Sequence, residues 1–155
     1  MADKREKSRK FIYRTTVSWT GEKKGSLCSS GKPTIEVATP PEFKGHEGVW
    51  TPEELFVASV NSCIKTTFLH FAQKKNFEFL SYESEAEGTL EKVGNQFMFS
   101  EIKVTPRIKI ASINQAEKAE ELIRLSEKNC LISNSIKTRV EILPEIKAPD
   151  RPEAE

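Results

Sequence analysis

Long apolar runs are missing from this chain. No stretch approaches the ~20 residues needed to cross a bilayer, so no membrane contact of that kind is expected. Excess charge of one sign is missing too. Lys plus Arg is 24 and Asp plus Glu is 23, a net of +1. A nucleic-acid binder that works through bulk charge needs a basic surplus, so nucleic acid is not an expected partner. Histidine is scarce, with His46 and His70 alone, and the three cysteines (Cys28, Cys63 and Cys130) show no Cys-x-x-Cys spacing. Neither a zinc site nor a cofactor is expected. There is no internal repeat and no low-complexity core segment. The first ten residues carry five basic side chains but lack the apolar stretch of a signal peptide. A cytoplasmic setting with reduced thiols is the expectation.

What is present is one domain's worth of chain, 155 residues, with 37% hydrophobic and 30% charged side chains. That length can bury a core without metal or disulfide staples. Residues 1–10 and 144–155 read as solvated tails. Between them, Phe11, Tyr13, Thr15 and Val17 alternate as a strand does. Thr20 to Gly25 turns, a second strand runs from about Leu27, and Thr34 to Ala38 forms a third. Residues 39–50 are irregular, with Pro40-Pro41 and glycines at 45 and 48. Leu80 to Leu90 and Gln96 to about Ile110 form a hairpin around Val93-Gly94-Asn95. Asn114, with Glu117 at the capping-box position, starts a second helix. Cys130 to Ile136 is a break followed by a short helical piece, and Thr138 to Leu143 is a last strand. The order β-β-β-α-β-β-α-α-β is that of an α+β fold with a largely antiparallel sheet.

The first helix is the clearest element. Thr51-Pro52-Glu53-Glu54 combines a capping box with Pro at the first helical position. The helix should run to about Lys75, with Asn76 as a left-handed stop. From Leu55 to Ala72 only Lys65 carries a permanent charge. Leu55, Phe56, Val60, Ile64, Phe68 and Phe71 point in several directions, so apolar surface wraps most of the cylinder, as in a helix surrounded by protein. One chain has few elements to cover it. A homodimer that packs two such helices together supplies the cover.

Cys63 lies in the middle of that helix. A lone buried cysteine behaves first as a small hydrophobe, and burial alone raises its pKa. The helix N-terminus is too far away for its dipole to help. A reactive Cys63 therefore calls for a cation from elsewhere in the structure. Cys130 sits in the break before a short helical turn, where a resolving thiol would be placed. Cys28 lies in a Ser-rich segment with no assigned role. His70 reads as a core-edge residue and His46 as part of a Gly-rich loop near the helix start.

Thr51-Pro-Glu-Glu-Leu-Phe-Val-Ala-Ser-Val-Asn-Ser-Cys63 resembles the central helix of the OsmC/Ohr family of thiol-dependent hydroperoxide reductases. The family pattern places a cysteine ten positions after the first Glu, as Glu53 and Cys63 are here. Cys130-Leu-Ile-Ser-Asn resembles the stretch around the second family cysteine. The strand order also fits, so the resemblance covers roughly residues 11–143, as a single OsmC-like domain. It implies an OsmC-like fold and an intertwined homodimer with two active sites at the interface. It implies Cys63 as the peroxidatic thiolate and Cys130 as the resolving thiol, joined in a disulfide during turnover. The implied substrate is an organic hydroperoxide, in oxidative stress defence. The implied reductant is a dithiol, of the lipoyl type in one branch of the family. Glu53 and Cys63 lie about 15 Å apart along a straight helix, so Glu53 meets a partner's Cys63 rather than its own.

The family also uses an arginine beside the thiolate. In the Ohr-like turn, Thr20-Gly-Glu-Lys23-Lys24-Gly25, Lys23 fills that slot. In the OsmC-like position ahead of the helix the slot holds Glu42. Lysine supplies charge without the planar fork of arginine; Arg14 is a second possible source. Three functions follow from these residues. The first is a cysteine-dependent peroxidase using Cys63, Cys130, Glu53 and Lys23. The alternative is an OsmC-like protein with weak or no peroxidase activity that binds a small apolar ligand at the dimer interface. A thioesterase-like enzyme ranks last, since no other residue of the helix is as well placed as Cys63.

Overall fold

The structure is a computed structural model that describes residues 8–150. Most of the first expected tail, residues 1–7, and residues 151–155 of the second lie outside the described residues. The chain divides into two compact units, Met1–Glu53 and Glu54–Glu155.

The first unit holds a three-stranded antiparallel sheet in the order β1(Thr16–Gly21), β2(Lys24–Cys28), β3(Ile35–Ala38). The alternating segment from Phe11 enters the sheet only at Thr16, later than its pattern suggests. The turn at Gly21-Glu22 runs through positive φ, 123° and 49°. Trp19 Nε1 donates to the Glu22 carbonyl at 2.8 Å and holds that turn. The irregular stretch after β3 coils on itself. Gly45 and His46 donate their N–H groups to the carbonyls of Pro40 (3.0 Å) and Thr39 (2.9 Å). A Cβ at Gly45 would collide with the Thr39 carbonyl, so the coil requires glycine there.

The long helix, α1(Pro52–Lys74), starts at the expected proline and ends before Asn76, whose φ of 51° is the anticipated left-handed stop. In the second unit its buried stripe is Val60, Ile64, Phe68 and Ala72, spaced four apart on one face. Ser62, Lys65, Thr66, Leu69, His70 and Gln73 are exposed. This chain thus covers one face of the helix and leaves the other, which includes Leu69, exposed.

That stripe rests on a hairpin, β4(Ser81–Val93) and β5(Gln96–Lys109), antiparallel with a bulge between Thr89 and Leu90. Along β4, Tyr82, Ser84, Ala86 and Gly88 turn inward while Glu83, Glu85 and Glu87 face out. Phe68 meets Tyr82 and Phe79, each with ring centroids 5.3 Å apart. Ser84 Oγ donates to Asn61 Oδ1 at 2.6 Å, a polar tie between α1 and β4. Two short strands, β6(Arg139–Ile142) and β7(Glu145–Lys147), extend the sheet by pairing parallel to β5. The sheet is therefore mixed, and β7 forms in the stretch expected as a tail. Pro106 falls between the segment of β5 that pairs with β6 and the one that pairs with β7, where a missing N–H is tolerated.

The second helix, α2(Ala116–Asn129), closes the core through Ala119, Leu122 and Ile123. Its approach is capped by Ser112 rather than Asn114. Ser112 Oγ accepts an N–H from Asn114 at 3.4 Å, and Gln115 Oε1 accepts the Ser112 N–H at 3.2 Å. A 3-10 turn at Ile113–Gln115 separates this cap from α2, which the sequence pattern does not distinguish from the first helical turn.

Candidate active site

Cys63 is carried on α1 beside the buried stripe and is half-buried against the core. Its own carbonyl accepts the hydroxyls of Thr67 at 2.8 Å and Thr66 at 3.0 Å. This fixes Thr67 Oγ1 at 4.0 Å from the Cys63 sulfur.

The chain leaves α2 at Cys130, whose extended backbone (φ −67°, ψ 115°) ends the helix. Cys130 is fully buried. The following residues fold into a tight turn: the Asn134 N–H donates to the Cys130 carbonyl at 3.0 Å, and Ser133–Ser135 form a 3-10 turn. The turn aims its backbone donors at the two sulfurs. The Ile132 and Leu131 backbone and the Cys130 thiol lie near enough to the Cys63 sulfur to act on its acidity. The Ser133 N–H points at the Cys130 sulfur at 3.5 Å.

These contacts set the two thiols apart. Partial burial pushes the Cys63 thiol up, but the Ile132 N–H, the Cys130 thiol, Thr67 and the Leu131 N–H together hold it below the ordinary thiol value. Burial also pushes Cys130 up. The Ser133 hydroxyl and N–H oppose that, the Cys63 neighbour adds to it, and Cys130 stays above the ordinary value. Of the two neighbouring thiols, Cys63 is therefore the more acidic. The lowering causes are the backbone of Ile132 and Leu131 and the side chains of Cys130 and Thr67. The composition of Leu131-Ile132-Ser133 gives no hint of this; the one available signal was a helix ending at a cysteine.

Cys63 and Cys130 are brought together in the second unit. Lys23 belongs to the first, in the turn before β2, where its Nζ donates to the Phe43 carbonyl at 3.2 Å. His46 Nε2 lies 3.5 Å from Glu22 Oε2 in the same unit. The Arg14 carbonyl accepts the Ser29 hydroxyl at 2.9 Å. Glu53 occupies the first turn of α1, and its Oε2 is buried without a hydrogen-bond partner among the described residues. Cys28 is a free, half-buried thiol at the end of β2. Among the described residues no cluster of His, Cys, Asp or Glu could hold a metal ion, and no helix is long and apolar enough to cross a membrane.

Residues 45–145 match the model of the family described as OsmC-like protein. The chain belongs to the OsmC-like family. Solved structures agree. An OsmC-like protein of unknown function from Vibrio cholerae is 23% identical with a TM-score of 0.79, covering 87% of this chain and 99% of that one. An organic hydroperoxide resistance protein OsmC from Legionella pneumophila is 25% identical with a TM-score of 0.66, covering 90% of this chain and 100% of that one. The organic hydroperoxide resistance protein OhrB of Bacillus subtilis is 25% identical with a TM-score of 0.61, covering 88% and 98%. No curated protein sequence matches the chain. The expected α+β OsmC-like fold is the one observed.

Proposed function

We propose that this OsmC-like protein is a dithiol-dependent peroxidase that reduces organic hydroperoxides, with Cys63 as the peroxidatic and Cys130 as the resolving cysteine. What supports this reading most is the asymmetry of two neighbouring cysteines: Cys63, half-buried on the flank of α1, is held below the ordinary thiol value, and the fully buried Cys130 is pushed above it. A peroxidatic sulfur must be a thiolate, and a resolving one must lie within bonding reach of it. The Cys63 thiolate attacks the distal oxygen of ROOH. The O–O bond breaks, RO⁻ leaves and takes a proton to become ROH, and Cys63 becomes a sulfenic acid. The Cys130 sulfur then attacks Cys63 sulfur, the S–O bond breaks, and water departs with the Cys130 proton. An external dithiol, possible in lipoyl form, reduces the disulfide and is itself oxidised to a disulfide. Members of the fold named for organic hydroperoxide resistance support the substrate class.

The functional unit in this reading is a homodimer in the cytoplasm. Phe11, Tyr13, Val17 and Trp19 are 75%, 90%, 65% and 80% exposed, apolar surface that a second copy would cover. Glu53, with a buried oxygen lacking a partner, and Lys23 complete the site across that dimer, Lys23 as the cation near the thiolate. The test is consumption of cumene hydroperoxide with a dithiol reductant, followed by peptide mass mapping. Turnover that disappears in Cys63→Ser, with a Cys63–Cys130 disulfide in the parent and Cys28 reduced, is the expected result. Absence of turnover with Cys63 unmodified refutes the reading and leaves the apolar-ligand alternative.

A further inference from the structure

The turn after Cys130 holds one polar side chain that the reaction above does not use. Ser133 Oγ is buried and has no hydrogen-bond partner among the described residues. An orphaned buried hydroxyl costs free energy unless it serves a neighbour. Its neighbour is Cys130, fully buried, whose sulfur already faces the Ser133 N–H at 3.5 Å. Ser133 thus brings one engaged donor, its N–H, and one unspent donor, its hydroxyl, to the turn beside a sulfur with no access to water. The other seryl hydroxyls of this region are engaged on carbonyls: Ser135 on Leu131 at 2.7 Å and Ser126 on Leu122 at 2.7 Å.

We propose that Ser133 is a positioning residue for the disulfide-forming step, its N–H holding the buried Cys130 sulfur and its unspent hydroxyl stabilising the Cys130 thiolate as it attacks the oxidised Cys63. This rests on the peroxidase reading. In that step Cys63–SOH and Cys130–SH become a disulfide and water. The S–O bond breaks, the S–S bond forms, and the Cys130 proton leaves with the hydroxyl. Negative charge gathers on Cys130 before the bond forms, in a place where burial opposes it. A hydroxyl donor at that sulfur lowers the barrier to this step alone. It touches neither the peroxide nor Cys63, so the first oxidation does not depend on it.

The experiment separates the two steps in the full chain by stopped flow, with a stoichiometric dose of cumene hydroperoxide. In Ser133→Ala the rate of sulfenic acid formation at Cys63 stays within about twofold of the parent, and its conversion to disulfide slows by about tenfold or more, a factor equal to about 1.4 kcal/mol. The pH midpoint of the second step moves up. Ser133→Thr, which keeps a hydroxyl, restores most of the rate. A second measurement does not need peroxide: in a Cys28→Ser, Cys63→Ser background, the Cys130 thiolate absorbance at 240 nm should titrate at higher pH once Ser133→Ala is added. Unchanged disulfide formation in Ser133→Ala, or equal slowing of both steps with no rescue by threonine, overturns the proposal. A parent that forms no sulfenic acid overturns the peroxidase reading instead, and with it the role in resolution; the titration then still reports whether Ser133 acts on Cys130.

Discussion

Replacing Ile132 by proline probes the thiolate most directly, because it deletes one N–H, while the loss of a side chain packed against the core is matched by an alanine control. The Ile132 backbone has φ −70° and ψ −49°, so the proline ring, fixed near −65°, fits the existing conformation. Its N–H is the leading favourable contact of the Cys63 sulfur. A hydrogen bond to a charged acceptor contributes about 1.5–3 kcal/mol. Cys63 is only half-buried, and solvent screening reduces that to roughly half, about 0.7–1.5 kcal/mol. At about 1.4 kcal/mol per factor of ten, the reaction at neutral pH slows by roughly three- to tenfold. The reason is a smaller thiolate fraction, so the loss disappears at alkaline pH. The sign is fixed by the chemistry. A thiol held below its unfolded value adds stability above the unfolded value, and loses it as pH falls through the folded one. Ile132→Pro raises the folded value and shrinks that window. The assay is iodoacetamide alkylation of Cys63 from pH 5 to 10, as an order-of-magnitude span around the usual thiol range, with Cys28→Ser and Cys130→Ser in all proteins. Ile132→Ala controls for the side chain. If proline and alanine variants share the parent's midpoint, the backbone donors do not set the thiolate, and a cation must be sought.

The core makes an independent prediction: Phe68→Ala removes a fully buried ring and its two aromatic contacts, so urea unfolding at matched protein concentration should show a loss of about 3–5 kcal/mol. A loss below about 1 kcal/mol would mean that α1 is not anchored through this residue. Lys23→Arg should raise the second-order rate with an organic hydroperoxide and Lys23→Ala should lower it, read by stopped flow; equal rates make Lys23 a surface residue bonded to Phe43 and no more. Sedimentation at low micromolar concentration should give a dimer of about twice 17.6 kDa; a single monomeric species would leave Phe11, Tyr13 and Trp19 without cover.

Much of this fold is legible because its signals are local. Pro52 at the helix start, Asn76 at its end and Val93-Gly94-Asn95 in the hairpin all act within a few residues. The alternation of glutamates with small residues along β4 names the buried face outright. What escapes is non-local or purely backbone. β7 is three residues long and exists because β5 is long enough to take a second parallel partner after β6. The α1 surface misleads for a related reason. Counting apolar residues along the helix says nothing of Ser62 and Thr66, which define its exposed side. At the site, the two cysteines are visible in the sequence, but their electrostatics are not. Main-chain N–H groups have no residue letter, and any residue except proline could supply those of Leu131 and Ile132.

The asymmetry of the two sulfurs has a structural cause that does not depend on family likeness. Both feel burial first. Cys63 sits on a helix flank that reaches solvent, and the turn after α2 presents it with two main-chain donors and a thiol. Cys130 closes that same turn from the inside, fully buried, and is left with Ser133. The more acidic sulfur is therefore the one nearer solvent, and the less acidic one is fully buried. The reverse assignment would put a thiolate in the core and a neutral thiol at the surface, which costs more at both ends. Backbone donors have one shortfall. They stabilise the sulfur anion from one side but carry no net charge and cannot also grip the leaving oxygen of a peroxide. In the proposed peroxidase reaction a cation would supply that grip, and the Lys23 variants measure that contribution rather than the acidity of Cys63.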